Sequence, residues 1–276
     1  MSKSNTPLTD LYGKKANSLQ EVAGYGQLKS MLQRGSCRSF SRENVDPDVI
    51  RLLCAAALAS PTKSDLQQRD IVIVDEPALK AQVIDLLSPQ KWMVDAPCLL
   101  VFCGNNRRQR RLHELRNLPF ENDHLDAFFN ASVDAGVALS AFVIAAEALG
   151  LGCCPISAIR NRPDEVSDLL GLPNHVFPVA GLAVGHPVTD APRISPRLPL
   201  GATVHTNRYD ETQIDSVIEN YDARRNTVQP YESQRGEDRF GVSSSYGWSE
   251  DKARQYALPE RQDFGQFIVG KGFKLS

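Results

Sequence analysis

Arg34-Gly-Ser-Cys-Arg-Ser-Phe40 places two guanidinium groups and two hydroxyls within seven residues. Helical periodicity precedes it from Leu19 onward, with Val22, Tyr25, Leu28, Met31 and Leu32 recurring on one face. After it, Asp46-Pro47 reads as an N-cap with proline at the first helical position, opening a helix that runs through IRLLCAAALA to Ser60-Pro61. Arginine forks bind phosphate through paired charge-assisted bonds, and helix starts leave backbone N–H groups free for the same purpose. The heptad suits the grip of an anion and a polarisable ring. Taken alone, it is more simply a solvated turn.

Three other segments give it meaning. Ser60-Pro-Thr-Lys-Ser-Asp-Leu-Gln67 closes one helix and leads to a strand, and Gln67 offers both donor and acceptor to a ring edge carrying carbonyl and N–H groups. Gly150-Leu-Gly-Cys-Cys-Pro-Ile-Ser157 follows a long apolar helix, and its glycines allow close backbone approach to a flat ring. Gly181-Leu-Ala-Val-Gly-His-Pro187 ends an apolar strand, and Pro196-Arg-Leu-Pro199 then delivers Arg197. Each has a plain structural reading as well: a Ser-Pro helix stop, a C-cap glycine at Gly150, a solvated arginine.

Around these segments the pattern predicts strands over 69–75, 96–104, 151–157 and 176–184, and helices over 77–87, 123–149, 163–170 and 211–224. The run APCLLVFCG is apolar throughout, so its strand is central. The longest helix is nearly apolar around its circumference over 131–146 and is expected to be buried on most sides. Residues 105–121 are basic and read as irregular. The division is a polar arm over 1–26, a main domain over 27–224 and an extension over 225–276. The extension is too polar for a core of its own and must wrap over the main body or a partner subunit.

The bulk numbers exclude several classes. A net charge of −2 argues against nucleic-acid and membrane-surface partners, and the N-terminus lacks the apolar stretch of a signal peptide, which points to the cytoplasm. The apolar run 135–146 is too short to span a bilayer. The six cysteines form no CxxC pair and lie near no suitably spaced histidine, so they read as buried thiols and no metal site is expected. There is no G-x-G-x-x-G turn after a first strand, no P-loop and no G-x-S-x-G elbow, and the five histidines are scattered.

In this order, the motifs R-G-S-C-R-S-F, S-P-T-K-S-D-L-Q, E-A-L-G-L-G-C, G-L-A-V-G-H-P and P-R-L-P resemble the FMN-dependent nitroreductase and flavin reductase family, roughly over residues 28–224. The likeness is to its oxygen-insensitive, NADPH-using members. It implies an α+β nitroreductase-like fold with a central, mostly antiparallel sheet flanked by helices, in an intertwined homodimer with an extended C-terminal arm. It implies FMN-mediated transfer of hydride from NAD(P)H, NADPH preferred, to nitroaromatics, quinones or similar electrophiles by a ping-pong mechanism. Flavin reduction, reduction of a specific metabolite (including reductive dehalogenation) and a non-catalytic flavin sensor or carrier are the alternatives.

The matched positions carry the implied roles. Arg34, Gly35, Ser36 and Arg38 would hold phosphate, ribityl chain and pyrimidine edge, with Arg38 also stabilising charge on the reduced ring. Ser60, Pro61, Thr62 and Gln67 would lie along the flavin, Gly152 and Cys153 near its N5 and Arg197 at the phosphate, with Ile156 also among the cofactor-binding positions. Arg261, ahead of Arg225 and Arg224, is the expected cation for the 2′-phosphate of NADPH. One departure is Ser195, where the family often has lysine, with Arg193 nearby as a substitute; no catalytic acid or base is implied.

Overall fold

Residues 11–12, 25–87, 90–188 and 194–276 are described in the structure, a computed structural model. The readings placed on the N-terminal arm, on the periodicity before Tyr25 and on Arg193 lie outside these residues. Strands β1 (Arg69–Val74), β2 (Cys98–Asn105), β3 (Gly152–Ile156) and β4 (Val176–Gly185) appear where the apolar runs predict them. The helices are α1 (Tyr25–Leu32), α2 (Pro47–Leu58), α3 (Pro77–Asp85), α4 (Lys91–Asp95), α5 (Arg107–Arg116) and α6 (Leu125–Ala148). They continue as α7 (Pro163–Leu169), α8 (Ile214–Val228), α9 (Glu237–Phe240), α10 (Trp248–Tyr256) and α11 (Phe264–Gly270). By packing, the chain divides into a larger unit, 36–191 with 261–276, and a smaller unit, 1–35 with 192–260.

The larger unit is built on a sheet of order β1-β2-β4-β3, antiparallel at every pairing. Side chains alternate across a strand, so a strand covered on both faces must be apolar at every position. Along β2, Leu99, Val101 and Cys103 join Val83, Ile84, Met93 and Val166 on one face, while Leu100 and Phe102 join Leu53, Ala57, Phe142 and Ala146 on the other. The fold is therefore α+β, a central antiparallel sheet flanked by helices. Asp46 caps α2 by accepting from the Asp48 N–H at 2.8 Å, with Pro47 at the first position as expected.

Three readings are corrected. The basic stretch 105–121 contains α5, whose only apolar residues, Leu112 and Leu115, are exposed, which is why apolar spacing does not reveal it; Asn117, in the left-handed region at φ 52°, ends it. Helix α6, 24 residues long, is long and apolar enough to cross a bilayer, so the expectation of too short a span is not met. Nor is it buried on most sides within one chain, because Phe129, Val133, Val137 and Ile144 remain exposed. Within the extension, Phe267, Ile268 and Phe273 pack with Ala127, Ala131 and Phe177 in the larger unit.

That C-terminal packing is reinforced by charge. Asp123 is bonded to Arg110 of α5 and lies 2.9 Å from Lys274, and the Arg110 bond chiefly holds its carboxyl down to about 2. A carboxyl whose folded pKa is depressed stabilises fully above its unfolded value and loses that contribution as pH falls through the folded one. Asp123→Asn is therefore expected to be less stable than wild type near neutral pH, with the difference closing between about pH 4 and pH 2 in urea titrations. A difference that stays constant over that range would refute the linkage.

The smaller unit relies more on polar contacts. Tyr221 of α8 meets Trp248 of α10 edge to face at 5.0 Å, and Asp222 accepts from the Ser249 N–H at 2.9 Å. Buried Arg254 donates to the carbonyls of Arg235 at 3.0 Å and Gly241 at 2.8 Å, closing the loop between them. A side chain with several fixed donors can order a segment that offers little apolar surface.

Candidate functional site

The long helix is the element that organises the site in the larger unit. At its C-terminus Gly150 adopts φ +78°, its N–H reaching Glu147 O and the Leu151 N–H reaching Ala146 O, both at 3.0 Å. This double closure needs a left-handed residue, which glycine adopts without steric cost. The chain is thereby turned directly into β3, so Gly150 is the C-cap glycine and Gly152 begins the strand.

Residues 36–41 dock beside that strand. The Cys37 N–H donates to Cys153 O at 2.9 Å, the Ser41 N–H to His186 O at 2.8 Å and the Val188 N–H to Ser39 O at 3.1 Å. Phe40 pairs with Pro187 as an isolated antiparallel bridge and is buried. Segments 36–41, 152–153 and 186–188, which are far apart in sequence, are thus one local structure. A Cβ on Gly152 would lie 2.6 Å from Cys37 Sγ and 2.7 Å from Cys37 Cβ, so the close approach requires glycine there. Arg38 is exposed, its guanidinium 5.9 Å from the centroid of the Trp92 ring. Burial pushes the Cys37 thiol upward, and the thiols of Cys98 and Cys103 up to about 12, which keeps them protonated and unreactive.

The Ser60–Gln67 loop is fastened elsewhere, to α2, α5 and α6. Buried Arg69 donates to Leu58 O at 2.6 Å and Ser60 O at 3.2 Å, holding the end of α2. The Ser60 hydroxyl oxygen is buried and has no hydrogen-bond partner within the protein. Ser64, Asp65 and Gln67 all have positive φ, 48°, 56° and 52°. Left-handed backbone at a non-glycine residue costs on the order of 1–3 kcal/mol and persists only where its surroundings impose it. The Gln67 side chain donates to Asp65 Oδ1 at 3.2 Å.

Ile156, by contrast, faces the core among Val101, Ile159 and Ala183, so its side chain is committed to packing. Arg261 lies in the larger unit and donates to Asn161 Oδ1 at 3.0 Å. Arg34, Gly35, Arg197, Arg224 and Arg225 belong to the smaller unit. There the Arg197 N–H donates to Leu11 O at 2.8 Å, the Tyr221 hydroxyl to Pro196 O at 2.9 Å and Arg224 to Arg197 O at 3.4 Å. A cavity of about 590 Å³ in this unit is lined by Arg197, Arg225, Tyr231, Arg235, Trp248 and Lys252. The Arg225 guanidinium lies 5.2 Å from the Tyr231 centroid, with its Nε buried and unpartnered.

Sequence reasoning missed Asp134, Arg108, Arg235 and Lys252. Asp134 had a visible signal, a single carboxylate in the otherwise apolar run 131–146, because a buried charge in a helix must be matched by donors. Arg108, Arg235 and Lys252 are three of many basic residues and carried no distinguishing pattern.

Comparison with known proteins agrees with this architecture. The model of the nitroreductase family matches residues 31–186, and that of its C-terminal domain matches residues 195–276. The chain is 32% identical over 251 residues to the FMN reductase [NAD(P)H] of Bacillus subtilis, covering 90% of this chain and 98% of the relative. It is 29% identical to the NADPH-flavin oxidoreductase of Vibrio harveyi, with 89% and 97% covered. The solved structure of NfrA2 from B. megaterium superposes with a TM-score of 0.80 at 30% identity, covering 91% of this chain and 98% of that one. The chain belongs to the nitroreductase family.

Proposed function

We infer that this protein is an NAD(P)H-dependent FMN oxidoreductase of the nitroreductase type that reduces electrophilic acceptors, nitroaromatics and quinones among them. The observation that carries this reading is the docking of residues 36–41 beside Gly152 and Cys153, which brings Ser36 and Arg38 next to the start of a strand where only glycine fits. The residues present fit FMN: the buried Ser60 hydroxyl lacks a protein partner, as expected of a group that meets a ligand. Bound FMN supplies the redox chemistry, taking reducing equivalents from NAD(P)H and passing them to the acceptor.

The chain's own residues do the rest. Arg34, Gly35, Ser36 and Arg197 are assigned to phosphate and ribityl chain, and Ser60, Pro61, Thr62 and Gln67 to the ring's length and pyrimidine edge. The backbone of Gly152 and Cys153 would hold the N5 side of the ring, with Ile156 packed in the core behind it. Arg38 is the preorganised cation for negative charge on the pyrimidine edge. Donor and acceptor use one space in turn, so parallel double-reciprocal plots are expected. The exposed apolar row Phe129, Val133, Val137 and Ile144 on α6 fits a second copy of the chain, which supports a homodimer. A cytoplasmic location follows from NAD(P)H as the donor.

For the 2′-phosphate of NADPH, Arg225 with Arg224 is favoured over Arg261, because Arg225 lines a cavity while Arg261 binds Asn161. Arg225→Ala is expected to raise KM for NADPH about tenfold, worth about 1.4 kcal/mol, with KM for NADH nearly unchanged. Equal rises for both would remove the assignment.

The test of the whole reading is the visible spectrum of the purified protein. A yellow protein that bleaches within about seconds of anaerobic NADPH addition, and recovers with a nitroaromatic or quinone, supports it. Turnover with free FMN alone would favour flavin reductase, the activity named for the B. subtilis relative. Colourless protein that takes up no FMN would end the case.

A further inference from the structure

One carboxylate spans the whole strained loop. Asp134, 2% exposed in the middle of α6, accepts the Lys63 N–H on Oδ1 and the Gln68 N–H on Oδ2, each at 3.0 Å. Between these anchors lie Ser64, Asp65 and Gln67, the three left-handed residues. From the other side, Arg108 of α5 donates to Gln67 O at 2.7 Å and to Arg69 O at 3.0 Å, while its second nitrogen pairs with Asp70 at 2.7 Å. Thr62 Oγ1 accepts the Gln67 N–H at 3.4 Å.

The backbone of Gln67 is thus held at its N–H, at its carbonyl and at the N–H that follows. Lys63, Ser64, Asp65 and Gln67 are themselves exposed, although the second anchor, Gln68, is buried. Left-handed backbone at three exposed residues, imposed by a buried carboxylate on another element, is a means of preorganising an exposed side chain.

We propose that Asp134 and Arg108 are positioning residues that lock the 63–68 loop so that the Gln67 amide is presented to the pyrimidine edge of the flavin. The proposal rests on the reading of Gln67 as the flavin contact. Neither residue touches the ligand; both act through the Gln67 backbone. An Asn at 134 keeps the size of the carboxylate but offers one acceptor oxygen for two N–H donors, so one anchor is lost.

The test compares binding of FMN and of N3-methyl-FMN to the full-length protein freed of flavin, followed by flavin fluorescence. N3-methylation removes the N–H that the Gln67 amide oxygen would accept, so wild type is expected to prefer FMN about tenfold. Asp134→Asn is expected to bind FMN at least tenfold more weakly and to lose that preference. Gln67→Ala should lose it equally, and the double variant should show no further loss. Urea midpoints measured alongside separate this from general destabilisation, which would weaken both ligands alike and leave the preference intact.

If Gln67→Ala keeps the preference, the flavin reading of Gln67 fails. If Gln67→Ala loses it while Asp134→Asn retains it, the positioning role is overturned. Should Asp134→Asn fail to fold, Arg108→Gln gives the same readout from a half-exposed side chain. Retained preference in that variant overturns the proposal, and lost preference supports it.

Discussion

Gly152→Ala is expected to yield a folded protein that binds FMN roughly 100-fold more weakly than wild type, a loss of about 2.7 kcal/mol. The added methyl would sit 2.6 Å from Cys37 Sγ and 2.7 Å from Cys37 Cβ. The second contact is to an atom that no rotamer change can move, so the backbone must give. The first bond to go is that between the Cys37 N–H and Cys153 O, now 2.9 Å, and with it the seating of Ser36 and Arg38. Overpacking of this kind costs typically 1–3 kcal/mol of stability as well. Cys37→Gly should restore binding in the Gly152→Ala background, because it removes both clashing atoms. Affinity unchanged by Gly152→Ala, measured by flavin fluorescence, would refute the steric argument.

Phe273→Ala is expected to lower the unfolding free energy by about 3–5 kcal/mol. Phe273 is 2% exposed, and its ring meets Phe177 of β4 at 5.3 Å nearly at right angles, with Phe128 at 6.1 Å and His175 at 5.5 Å. Edge-to-face pairs add to the area term, so the cost exceeds that of a lone aliphatic side chain. The backbone beside it would then fray: the His175 N–H donates to Lys271 O at 2.8 Å, His175 Nε2 bonds Gly272 O at 2.9 Å, and Lys271 Nζ donates to Leu172 O at 2.6 Å. A loss under about 1 kcal/mol in urea titrations would mean that these contacts contribute little in solution.

Much of this was readable from local pattern. Asp46-Pro47 announced the start of α2, and the unbroken apolar run of β2 announced a strand covered on both faces, because each signal depends only on neighbours along the chain. Helix α5 was not readable, because eight of its ten residues are polar and its two leucines, Leu112 and Leu115, are exposed, so apolar spacing gives little signal. The C-terminal aromatics read as part of a polar tail, since Phe267, Ile268 and Phe273 find Phe177 only when the chain has folded.

The site divides along the same line. The sequence and its family resemblance named the candidate groups: the guanidinium groups of the heptad, the amide of Gln67, the small Gly152. Only tertiary structure decided how they are held. The pairing of Cys37 with Cys153, and the grasp of Asp134 on a loop some seventy residues earlier (71 between Lys63 and Asp134), are contacts between distant segments. No sequence period reports such a contact, because a hydrogen bond is set by distance and angle in space rather than by separation along the chain.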